Sequence, residues 1–242
     1  MRIMVARRSS RAGVPERTLV SEWYGQGCQL VRRAVQLIKR GTLFRNAPAR
    51  TMPEIRITNP DWVRDVVDFD CLYPDDDARV RVAVALAREN VLRATGGPFG
   101  AAVFEGRTGR LVGVGTNGVV RLNNSSAHAE IVALMMAQSK LESFTLRGDG
   151  MPAHELFSSC EPCAMCLGAT LWSGVTRLVF AATREDATRL SFDEGPVFPE
   201  SYTYLEQRGI AIERGRLRAE ATAVFDLYLE RGGPIYNGGR GS

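Results

Sequence analysis

The stretch SSCEPCAMC, Ser158 to Cys166, sets three of the chain's five cysteines at intervals of three: Cys160, Cys163 and Cys166. Thiols this close cannot staple distant segments, so metal binding is the better reading. Cys163 and Cys166 share a face on a helix and both reach one ion. Pro162 suits a first helical turn, where its missing amide hydrogen costs nothing. That puts Cys163 at the positive end of the helix dipole, which favours a thiolate. Imidazole can come only from His128 or His154. His128 lies in SAHAEI, two residues before Glu130. On an ideal helix two residues are about 200° apart, so both serve one pocket only if it lies at the helix's N-terminal end. His128, Cys163 and Cys166 make three ligands, one short of a closed structural zinc site. The fourth position is left for water, whose pKa zinc lowers towards about 7, and an uncoordinated Glu130 would move its proton. Cys160 as fourth ligand would close the site without catalysis and make the protein a zinc-stabilised binding module. The reading taken is a buried bystander thiol, because Cys160 ends a strand while the other two start a helix, and because Glu130 would otherwise have no role.

The elements around these residues alternate between strand and helix. Pro74 and three aspartates open a helix, with an apolar stripe from Val80 through Ala83, Val84 and Ala87 to Val91. GAAVFE and RLVGVGTN read as two strands, HELFSS, RLVFAAT and GIAIERG as three more. Helices are expected from about Ala127 to Leu141 with Ser126 as cap, from Pro162 to Trp172, around Ala187 to Leu190, and from Ala219 to Glu230. This order predicts an α/β fold, layered helix on sheet on helix. His154, at the head of a strand, is expected at the surface or as a cap, and Cys28 and Cys71 as ordinary thiols.

Composition limits the rest. At 242 residues and 45% hydrophobic content the chain can bury a full core. No apolar run approaches the roughly 18–20 residues of a membrane span, so no membrane partner and a cytoplasmic location are expected. The net charge of +4 is uneven: residues 1–50 hold 11 Lys or Arg against Glu16 and Glu22. Residues 1–51 are therefore read as an Arg-rich, poorly ordered leader with a helix around Leu30 to Ile38, residues 52–232 as the working domain, and 233–242 as a tail. The 29 arginines face only Lys39 and Lys140. That bias makes basicity weak evidence for nucleic acid as a partner.

His128-x-Glu130 followed by Pro162-Cys163-x-x-Cys166 matches the signature of zinc nucleobase deaminases. The match extends from about residue 78 to 237 through GGPFGAAVF, TNGVV, SAHAEIVAL, SSCEPCAMCLGA and SFDEGP. On these segments the chain resembles the cytidine deaminase-like superfamily and, within it, the guanine deaminases of that fold. The resemblance implies a three-layer α/β/α sandwich with a central mixed sheet of about five strands, a zinc cofactor, and hydrolysis of guanine to xanthine and ammonia. It implies that Asn117 hydrogen-bonds the base, that Phe99 and Phe192 line its faces, and that Glu194 is a second carboxylate near the amine, with Asp193 its rival. It implies further that the C-terminal tail, with Tyr236, closes the site and that the protein is a homodimer. A tRNA adenosine deaminase shares the zinc signature, and an aminated triazine or guanosine are other substrates such a site admits. Sign-mixed charge in the last helix and the acids of SFDEGP disfavour RNA.

Overall fold

The computed structural model describes residues 52–238. The leader 1–51, with its expected helix and Cys28, and the last four residues lie outside the described residues. Of two compact units, Met1–Ile55 and Arg56–Ser242, only the second is described below.

Its centre is a five-stranded mixed sheet in the order β2-β1-β3-β4-β5: β1 Gly100–Glu105, β2 Leu111–Thr116, β3 His154–Cys160, β4 Arg177–Ala182 and β5 Ala211–Arg214. β1 is antiparallel to both neighbours, whereas β3, β4 and β5 run parallel. The helices are α1 Val63–Val66, α2 Asp76–Leu92, α3 Val119–Leu122, α4 Ala129–Lys140, α5 Ala164–Ser173, α6 Arg184–Arg189, α7 Pro199–Gln207 and α8 Arg218–Glu230. The pleat divides the core in two. Ala102, Phe104, Phe157 and Val179 face α2, α6 and α8. Ala101, Val103, Leu156, Leu178 and Phe180 face α4, α5 and α7. Strands buried on both faces need apolar residues in every register position, which is why these segments read as continuous hydrophobic runs. The predicted three-layer sandwich is the observed one.

Register brings all the strand ends that matter to one edge of the sheet. Gly100 pairs with Thr116, Ala101 with Ser158, and Cys160 with Ala182. The segments before β1 and after β2, β3 and β4 therefore emerge together. Open α/β sheets bind ligands at such an edge. On the same edge α4 lies against β2 at backbone contact. A Cβ on Gly115 would come within 2.0 Å of the Ala129 carbonyl, and one on Gly113 within 2.5 Å of the Ala137 amide. Only glycine permits that approach.

Two helix starts differ from expectation, and three helices are unexpected. His128, not Ser126, is the extended N-cap of α4, and Ser126 spends its hydroxyl on Asn124 instead. Cys163 is the N-cap of α5, so Pro162 precedes the first turn instead of sitting in it. α7, opened by Pro199, and the four-residue α1 and α3 have no counterpart in the sequence reading; all three are too short for a clear apolar period.

Away from the site, Asp186 anchors the start of α6 to the start of α8. Its carboxylate is buried, accepts from the Thr183 amide at 2.9 Å, and pairs with Arg218 Nε and Nη2 at 2.7 and 2.8 Å. The Arg218 guanidinium, then the Thr183 donors, hold this carboxyl well below the usual range. A depressed folded pKa stabilises fully above the unfolded value of about 3.9 and is lost as pH falls through and below it. Asp186→Asn is expected to cost roughly 1–3 kcal/mol in urea denaturation at pH 7, and the gap to wild type should narrow below about pH 4.

Candidate metal centre and active site

His128, Cys163 and Cys166 converge: one ligand atom from each lies within 4.8 Å of the others. Among the described residues no other cluster of metal-ligating side chains forms. Cys163 Sγ is 3.5 Å from His128 Nδ1. Zinc–sulfur and zinc–nitrogen bonds of about 2.3 and 2.05 Å at the tetrahedral angle span about 3.6 Å, so the pair fits zinc. One imidazole with two thiols is also the donor set zinc takes in preference to calcium or magnesium.

The ligands stand where they do because two helices begin there. His128 and Cys163 are N-caps with extended backbones, and Glu130 is the second residue of α4. The pocket lies at the helix starts, as the two-residue spacing of His128 and Glu130 requires. Without metal, Cys163 is drawn down to about 4, first by the neighbouring Cys166 side chain, then by His128, with burial opposing. Cys166 is pushed up, by Cys163 and by burial. His128 is raised: its burial works the other way, but the Cys163 bond and the acids around it prevail.

Cys160 takes no part. It is buried among the residues packed against α2 and α8, and its thiol donates to the Thr183 carbonyl at 3.7 Å. Burial, then nearby acids, push its pKa well up, so it stays a thiol. The bystander reading agrees with this geometry.

A cavity of about 220 Å³ opens beside the cluster, lined by His128, Cys163, Glu130, Glu194, Phe99, Phe192, Asn117 and Tyr236 among others. Glu130 is buried; Ser158 Oγ and Cys166 Sγ each donate to it at 3.4 Å. Burial raises its pKa, and the Cys163 charge adds to that. Burial likewise pushes Glu194 up to about 8, with Cys163 and Glu130 next in effect. Asp193 and Glu194 both line the cavity, and the turn engages them differently. Asp193 is exposed and its carboxylate accepts the Gly195 amide at 3.0 Å. The Glu194 carbonyl accepts the Ala164 amide at 2.9 Å, which ties its residue to the first turn of α5.

Phe99 and Phe192 meet edge to face, centroids 5.1 Å apart, and form apolar walls. Asn117 Oδ1 accepts the Val119 amide at 3.3 Å, which leaves Nδ2 to donate into the cavity. Asn90, fully buried at the end of α2, joins the two loops: its Nδ2 donates to the Gly97 and Asn117 carbonyls at 2.8 and 2.9 Å.

The tail reaches the same cavity. The Tyr236 ring meets Phe192 at 5.2 Å, and its hydroxyl is buried without a partner. It sits over Gly97, where a Cβ would come within 1.9 Å of that hydroxyl. Asn237 fastens the tail: Oδ1 accepts the Asp193 amide at 2.9 Å and Nδ2 donates to the Ser191 carbonyl at 2.8 Å.

Every site residue expected from sequence thus lies at this cavity or its metal cluster, but two expectations need correction or addition. His154 is neither surface nor cap: it is fully buried at the head of β3, with Nδ1 2.9 Å from the Leu146 carbonyl. Glu161, absent from the residues expected from sequence, is a third carboxylate on the cavity wall. A carboxylate beside a cysteine ligand was the available signal.

Zinc content separates ligand from bystander. Cys163→Ser is expected to lose most of its zinc in metal analysis, and Cys160→Ser to keep about one ion per chain.

Residues 74–182 match the model of the cytidine and deoxycytidylate deaminase zinc-binding region. The chain is 38% identical to a guanine deaminase of Bacillus subtilis over 128 residues, 53% of this chain and 78% of that protein. It is similar to the solved structure of a guanine deaminase from Nitrosomonas europaea, with 41% identity, a TM-score of 0.70, and 76% of this chain and 100% of the other covered. A structure solved in complex with 2,6-diaminopurine matches at 44% identity and a TM-score of 0.70, over 75% of this chain and 96% of the other. Sequence, fold and metal geometry agree, and the chain belongs to the zinc-dependent deaminases of the cytidine deaminase-like fold.

Proposed function

We propose that this protein is a guanine deaminase, which hydrolyses guanine and water to xanthine and ammonia. The observation that carries the reading is a three-ligand metal cluster opening on a small cavity that holds two uncoordinated, protonation-prone carboxylates, Glu130 and Glu194. Zinc held by His128, Cys163 and Cys166 would supply a Lewis acid and water of lowered pKa.

The protein's own groups do the rest. Glu130 accepts the proton of the attacking water and delivers it to the ring nitrogen beside the reacting carbon. Its raised pKa, set by burial, suits it to hold a proton between taking and delivering it. Glu194, across the cavity, accepts from the amine while the amine is still a donor and helps protonate it as it leaves. Phe99 and Phe192 suit a flat ring, and the free Asn117 amide suits a carbonyl or ring-nitrogen acceptor. A cavity of about 220 Å³, below the roughly 300–1,000 Å³ of pockets for larger ligands, favours a free base over a nucleoside. Acids around the cavity and a tail across its mouth count against a polynucleotide.

The tail acts as a lid: Tyr236 fills the mouth and Asn237 holds it shut on the loop that carries Glu194. We also infer a homodimer. α4 and α5 leave Met135, Met165 and Trp172 exposed on their outer side, the indole 79% so, an apolar surface suited to a second copy. No described helix is long and apolar enough to cross a membrane, and a cytoplasmic site of action is the accompanying inference.

Ammonia release from the zinc-loaded protein tests the reading against guanine, guanosine, adenine, cytosine and ammeline. Guanine should be turned over fastest, and Glu130→Ala should lose about 10²–10⁴-fold in kcat. No release from guanine above that variant would sink the assignment. The same assay on a chain ended after Gly232 should show kcat/KM reduced at least about tenfold with an unchanged far-UV spectrum; undiminished turnover would remove the lid.

A further inference from the structure

Glu161 is buried, stands between Cys160 and the Pro162-Cys163 helix entrance, and is used by none of the chemistry above. Both of its carboxylate oxygens are engaged. Oε1 accepts the Tyr202 hydroxyl of α7 in a short hydrogen bond, and Oε2 accepts the Arg184 amide, the first of α6, at 3.0 Å. Its own amide donates to the Ala182 carbonyl at 2.8 Å.

The contacts continue to the second carboxylate of the site. The Arg184 guanidinium donates to the Val197 carbonyl, and the Val197 amide returns to the Gly195 carbonyl at 3.0 Å. Glu194 precedes that turn, and its carbonyl is held by the first amide of α5. The segment between α6 and α7 carries Phe192, Asp193 and Glu194 and has no regular structure. A loop with no ladder of its own takes its position from such anchors.

We propose that Glu161 is a positioning residue for Glu194: it joins the zinc-bearing turn to α6 and α7, and through Arg184 fixes the loop that sets Glu194 against the cavity. The inference rests on the deaminase reading. Glu161 acts through its contacts, since two donors already occupy its oxygens. Displacements near 1 Å in such a shell cost catalysis more than binding, because transition-state contacts are the ones most sensitive to geometry.

The variants separate contact from charge. Glu161→Gln keeps the shape; its amide oxygen accepts the Arg184 N–H, and its amine donates to Tyr202, whose hydroxyl turns to accept. Glu161→Ala removes both contacts, and Arg184→Ala cuts the link to Val197 together with an exposed contact to Glu185 at 3.5 Å, while keeping the amide that Glu161 accepts. For guanine, Glu161→Ala and Arg184→Ala are expected to lower kcat at least about tenfold, with KM within about threefold of wild type and one zinc per chain. Glu161→Gln should recover kcat to within about threefold of wild type. A zinc-loaded Glu161→Ala or Arg184→Ala with wild-type kcat overturns the proposal. So does a Glu161→Gln as inactive as Glu161→Ala, which would make the charge itself the agent, or an Arg184→Ala that changes only KM. Should Glu161→Ala fail to fold, Arg184→Ala and Glu161→Gln still decide. Wild-type turnover of guanine, measured alongside, distinguishes failure of this inference from failure of the deaminase assignment.

Discussion

Two helix starts pointed at one spot are the constraint from which the site follows. The backbone amides at the beginning of α4 and α5 make that spot positive, and the capping positions are occupied by the ligands His128 and Cys163. The Cys163 thiolate is stabilised there. The sheet must then deliver both helices to the same edge, which it does because α4 follows β2 and α5 follows β3, two strands that end together on either side of β1. The opposite edge of β4 carries an ion-pair lattice instead, in which Arg177 binds Asp76 and Glu213, and Arg216 binds Asp77 and Glu213. Chemistry and fixation are thereby kept apart.

The second theme is crowding of acids. Glu130, Glu161 and Glu194 share one small cavity, and each negative charge raises the cost of the next. Glu161 is held in place by two donors, the Tyr202 hydroxyl and the Arg184 amide. Glu130 and Glu194 have weaker or no such support, and burial, then the Cys163 charge, raises their pKa values. Three groups of one chemical type thus sit in different surroundings around one cavity.

The sequence was legible where function is local. Cys163, Cys166 and Pro162 lie within five residues, and His128 and Glu130 within three, so spacing alone carried the cluster and the open coordination position. The strands were legible for a similar reason, since burial on both faces writes them as apolar runs. What escaped depends on long-range contact. Nothing near His154 signals that β3 will be buried to its first residue. Nor does any local pattern tie Glu161 to Tyr202, 41 residues away. The helix starts were misjudged by a residue or two because the usual capping residues were displaced by metal ligands, a trade of local propensity for function. Asp193 and Glu194 are adjacent in sequence, and only the folded turn shows that the Gly195 amide donates to the Asp193 carboxylate.

The contact of α4 with β2 through Gly113 and Gly115 bears on how this protein can change. Where side chains fill an interface, each exchange of a larger for a smaller one shifts the helix. Here main chain rests on main chain, so the spacing at that seam has no adjustable side chain. Drift elsewhere in the core can alter stability and leave His128 and Glu130 at the same depth over the sheet. A lineage carrying this seam is free to reshape its substrate walls around a metal site that does not move.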